Sequence, residues 1–111
     1  MAIKIIVSDT VGIKVKGTIN DAAGVAQPFD FGLTCSRLDA ETIHAKLNDN
    51  SGSTIIDFIA EVTSGWSGVR DADNAPLPYS EDNLRALCKI PGVAPVIFKT
   101  YLNEVGAKEK N

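Results

Sequence analysis

Apolar residues fall on alternate positions through the first third of the chain. Ile3, Ile5 and Val7 alternate, and Val11, Ile13, Val15 and Ile19 keep the same period around an interruption at Gly17. Alternation of this kind puts one set of side chains on one face of a strand. Ser8 to Gly12 and Asn20 to Gly24 carry turn chemistry, strongest at Asn20-Asp21 and Gly24. A further extended stretch, Ala26 to Cys35, points Phe29, Phe31, Leu33 and Cys35 to one side. The pattern predicts two or three antiparallel strands sharing one apolar face, and such a face needs a cover.

The cover is expected to be helical. Asp39 is placed to cap a helix running to about Asn48, with Ile43 and Leu47 four apart and Ala40 beside them. Asn50 to Ser53, with Gly52, breaks it. A second helix from Thr54 carries Ile55, Ile56, Ile59 and Val62 along one side, extending towards Trp66, with Asp57 and Glu61 opposite. Gly65 is expected to end this helix. Ser67 to Tyr79 then reads as a long loop. Ser80 caps a third helix with Glu81 and Asp82 in its first turn and Leu84, Leu87 and Cys88 on its apolar side. Pro91-Gly92 closes it, and Pro95 suits the first turn of a fourth. There Val93, Ile97, Tyr101 and Val105 recur every four residues, joined by Phe98 and Leu102, up to Gly106. The fold class is α+β: a small N-terminal antiparallel sheet of two or three strands packed against about four helices. One domain is expected over 1–106, strand-rich over 1–36 and helical over 38–106, with 107–111 a mobile charged tail. No internal repeat stands out.

Composition narrows the functional classes. The chain has 111 residues, 44% of them hydrophobic, which suits a single domain and leaves little room for an interdomain cleft. Eleven basic residues against fourteen acidic ones give a formal charge of -3. Lys14 and Lys16, with Lys4 nearby, are the densest basic cluster and read as a solvated strand face, so no nucleic-acid partner is expected. Cys35 and Cys88 have no neighbouring thiol, and with a single histidine they make no zinc set. Both sit among apolar residues and read as buried free thiols. The apolar run at Met1 to Val7 is too short for a secretory leader, and no run is long enough for a membrane helix, so a cytoplasmic setting without membrane contact is expected.

Catalytic and metal chemistry find little support. Asp71 and Asp73 stand where a calcium loop begins, but Pro76 occupies the position that must turn with positive φ, and a polar turn explains the acids better. Asp57 and Glu61 share a helix face with no fixed nucleophile or base beside them. His44 has no serine, cysteine or aspartate arrangement to work with. There is no GxGxxG, Walker loop, HExxH or GxSxG. No enzyme activity, metal or cofactor is expected. Trp66, the single tryptophan, reads either as a plug pinning the following loop to the helices or as an anchor at a protein interface.

From Trp66 onward the residues form a pattern. Trp66-Ser67-Gly68-Val69 is followed by Asp71-Ala72-Asp73-Asn74 and by Pro76-Leu77-Pro78-Tyr79-Ser80-Glu81-Asp82-Asn83-Leu84. This order resembles the tail assembly chaperones of long-tailed bacteriophages, over roughly residues 54 to 105. Asn74 stands where that family often has Gly, and asparagine also tolerates a left-handed backbone. The resemblance implies a non-catalytic chaperone, in the cytoplasm of the bacterial host, that keeps the tape-measure protein soluble during tail assembly and is absent from the mature virion. It also implies self-association into rings or spirals and a longer form made by frameshifting near the end of the gene. Trp66, Leu84, Leu87, Ile97, Phe98 and Tyr101 are the candidate core or partner-binding residues. Two other readings stand beside this one: a structural tail-completion or tube-associated virion protein, and a small ligand-binding or enzymatic domain.

Overall fold

The computed structural model describes residue 3, residues 9–48 and residues 54–106. Its elements are β1 (Thr10–Asn20), β2 (Ala26–Ser36), α1 (Ala40–Leu47), α2 (Ile55–Val62), β3 (Thr63–Ser67), α3 (Glu81–Cys88) and α4 (Val93–Val105). The protein is α+β, a three-stranded antiparallel sheet in the order β1-β2-β3 with four helices. The strand expected at Ile3 to Val7 falls almost wholly outside the described residues, as does the tail from 107; Ile3 itself is exposed and lies in no strand.

Register follows from the alternation. Ile13 pairs with Leu33, Val15 with Phe31 and Val11 with Cys35, so the odd-numbered residues of both strands share one face. Lys14, Lys16, Asp30 and Thr34 are exposed. A one-residue slip would exchange the two sets, which pins the register. Gly17 pairs with Phe29, and a Cβ at position 17 would lie 2.5 Å from the Phe29 ring. The aromatic ring therefore fills the place a larger strand residue would have taken.

Helices α1, α2 and α3 start where a side chain satisfies free N–H groups, whereas α4 starts after Gly92 with no side-chain cap. The Asp39 carboxylate accepts from Thr42 N at 2.7 Å, and Ser80 Oγ from Asn83 N at 3.0 Å. Thr54 and Asp57 cap each other reciprocally at the start of α2. Pro95 is the third residue of α4, where a missing N–H breaks no helical bond. At its other end, the Arg37 guanidinium donates to the Val105 carbonyl at 2.9 Å, a cation on the negative end of the helix dipole.

The helix expected to end at Gly65 stops at Val62, and Thr63–Ser67 become β3 instead. Thr63, Ser64 and Gly65 are poor helix formers, and the free edge of β2 offers their backbone a ladder. Gly32 pairs with Ser67, Leu33 with Trp66 and Thr34 with Gly65, before an irregularity brings Thr63 opposite Cys35. The stretch after β3 is not an open loop either. Arg70 bridges to Pro76, and Leu77 N donates to Val69 O, which makes a second short hairpin.

The core lies between the sheet's apolar face and helices α2, α3 and α4. Val15, Ile59, Leu84, Ile97 and Tyr101 are almost completely sealed within it. Phe58 meets both Phe98 and Tyr101 edge-on, with ring centroids 5.4 and 5.6 Å apart. The Tyr101 hydroxyl donates to Ser36 O at 2.7 Å and accepts from Leu38 N at 3.4 Å. It thus ties α4 to the end of β2. Replacing Tyr101 with Phe removes a buried donor and strands the Ser36 carbonyl, and urea unfolding should show a loss of about 1–2 kcal/mol. An unchanged midpoint would mean that the tie contributes nothing.

Candidate interaction surfaces

The six candidate residues divide by depth. Leu84, Ile97 and Tyr101 are sealed in the core, so the fold presents none of them to a partner. Trp66, Leu87 and Phe98 are partly buried and pack against that core from outside. Trp66 pins β3 to the returning arm of the second hairpin. Its indole N–H donates to Leu77 O at 2.8 Å, and its ring meets Tyr79 edge-on at 5.3 Å. The Tyr79 hydroxyl in turn donates to Thr63 O at 2.9 Å. A plug it is, but seated on a strand and not on a helix end.

The two hairpins end in the same turn. In the first, Asp21 N donates to Val25 O and Gly24 N to Asp21 O; in the second, Asp71 N donates to Ala75 O and Asn74 N to Asp71 O. In both, one aspartate oxygen accepts from the amides two and four residues on. The fourth position is left-handed in both, at φ 80° for Gly24 and 61° for Asn74. Asp21-Ala22-Ala23-Gly24 and Asp71-Ala72-Asp73-Asn74, each followed by a proline at the eighth position (Pro28 and Pro78), carry this turn visibly in the sequence. The two turns form a short internal repeat.

Both turns lie at the same end of the sheet, because β1 and β3 each run antiparallel to β2. Between the two arms is a shallow, mainly apolar groove lined by Ile19, Phe29 and Val69, with Leu87 of α3, Val93 of α4 and Ile90 between them, and with Asp30 and Arg70 also on its wall. Ile19 and Ile90 are exposed at its rim. At about 180 Å³ it is smaller than the roughly 300–1,000 Å³ of ordinary small-molecule pockets. A few apolar side chains of another protein would fill it.

Phe98 borders a second depression, with Lys46, Leu47, Ile55, Phe58 and Glu61. Lys46 forms an ion pair with Glu61 across it, while Arg85 holds Asp57 at 2.9 Å and Glu81 at 3.1 Å. The Thr54 amide first, and the Arg85 guanidinium after it, hold the Asp57 carboxyl below the usual carboxylate range. His44 is exposed one turn before Asn48, whose side-chain amide lies 3.1 Å from its ring nitrogen. Cys35 and Cys88 are free and buried, and burial pushes both thiols up, which suits packing and not nucleophilic attack. Among the described residues no three of His, Cys, Asp and Glu gather around a point where a metal ion could sit. Nor is any helix among them long and apolar enough to cross a membrane. The arrangement offers apolar contact and peripheral charge.

Comparison with protein-family models, curated proteins and solved structures finds no match to the chain.

Acid tests the electrostatic part of this description. Because the folded state lowers the Asp57 pKa, its stabilisation is complete above the unfolded carboxylate value, about pH 3.9, and is lost as pH falls through the folded value. The Asp57→Asn protein should start with a lower urea midpoint at neutral pH and lose less than the parent on acidification to about pH 3. Parallel losses in the two proteins would remove Asp57 from the account.

Proposed function

We propose that the chain is a tail assembly chaperone of a long-tailed bacteriophage or prophage. It binds the tape-measure protein without covalent chemistry and keeps it soluble in the host cytoplasm until the tail tube forms. The observation that carries this reading is the apolar groove between the two hairpins. The stretch from Trp66 to Leu84, which bears the resemblance to that family, folds into the second hairpin and the start of α3. It therefore supplies one arm of the groove and leads into Leu87 and Ile90.

The physical logic supports the same reading. A long helical protein with apolar stripes aggregates unless those stripes are covered. A shallow groove with isoleucines at its rim gives contacts that are weak singly. Repeated along a long partner they add by multivalency, and each remains easy to displace when tube protein arrives. Self-association of the chaperone along its partner would provide that repetition.

Co-expression with the tape-measure product encoded beside it tests the proposal. The tape-measure product should become soluble and co-purify with the chain. Ile19→Asp combined with Ile90→Asp should cut co-purification at least about tenfold, since the pair loses two apolar contacts and sets two charges against an apolar partner. Both positions are exposed, so the variant should fold. Unchanged solubility and no co-purification with the parent chain would overturn the reading.

A further inference from the structure

Helix α1 differs from the other three in having no buried residue. It lies over the side of α2 and α4 without closing it, and a depression remains along each flank. One runs between Leu47 and the group Ile55, Phe58 and Phe98. The other runs between Ile43 and Leu47 of α1 and Leu102 and Val105 of α4. Even in place, Leu47 is about half exposed. Lys46 of α1 forms an ion pair with Glu61 across the nearer depression.

We propose that the α2–α4 face is a docking surface for an amphipathic helix of a partner protein, and that α1 is its resident occupant. The face already accepts a helix, and α1 shows which kind: apolar residues four apart, as Ile43 and Leu47 are, with a cation just before the second, as Lys46 is. Charge complementarity selects the same partner. Once α1 leaves, Glu61 loses Lys46, while Asp57 keeps both the Thr54 amide and Arg85. An incoming helix with Lys or Arg at that place restores the lost pair, whereas one carrying an acid there meets Glu61 directly. Leaving the face costs α1 few contacts, because Ile43 packs only at the margin of the core and no residue of the helix is fully buried. The inference rests on the chaperone reading only for the identity of the partner.

Hydrogen exchange on the full chain tests it, with a synthetic helical peptide repeating the Ile43-x-x-Lys46-Leu47 spacing as the probe. Peptide binding should speed exchange of the α1 amides, beginning at Ile43, whose N–H bonds to Asp39 O, and slow those of α2 and α4. Glu61→Lys should weaken peptide binding by about tenfold. The proposal is overturned if the peptide fails to bind, or if it binds while α1 amides keep or reduce their rate. Peptide displacement of α1 without rescue of the tape-measure product would sink the chaperone reading and leave this surface standing. The converse would remove the surface alone.

Discussion

The rest of the structure depends on one face of the β1–β2 hairpin. Ile13, Val15, Phe31, Leu33 and Cys35 stand on it together and are buried, and an apolar sheet face of that size is stable only when covered. Helix α4 supplies most of the cover through Val93, Ala94, Ile97 and Tyr101, with α2 behind it through Phe58, Ile59 and Val62. The Tyr101 hydroxyl fixes where the helix sits along the sheet by bonding the last residue of β2. Once α2, α3 and α4 have satisfied the face, α1 is left to pack at its margin through Ile43, with no residue fully buried. Its exposure follows from that order of priorities.

The same constraint explains the groove. Strands β1 and β2 pair over eleven residues each, and at their turn end Ile19, Asn20 and the turn residues are exposed. Strand β3 takes the free edge of β2 and continues into a hairpin pointing the same way. Two arms with the same aspartate-centred turn then flank an apolar depression. The aspartates spend their lone pairs on backbone amides within the turns, so the arms are internally satisfied structures and the apolar residues between them remain available for contact.

Most of the fold was legible in the sequence because its signals are local. Period-two apolar spacing marked β1 and β2, and Asp39, Thr54, Ser80 and Gly106 marked helix ends at the residues where the structure places them. Strand β3 was not legible, because Thr63 to Ser67 become a strand only through the distant edge of β2. A helix ending at Gly65 was the locally consistent reading. The split of Leu84, Ile97 and Tyr101 into the core and Leu87 and Phe98 onto its margin also depends on neighbours from other elements. Helical periodicity names an apolar side but not what covers it. The groove was hidden for a further reason: its walls come from four segments, and only the repeated Asp21 and Asp71 turns hinted that two of them were alike.

A protein that acts by reversible apolar contact during assembly leaves the finished product, whereas one that builds the tail stays in it. Quantitative mass spectrometry of purified phage particles, alongside lysates of the producing cells, separates these directly. The account predicts abundant chain in the lysate and none in the particle. Stoichiometric copies in the purified particle would contradict it.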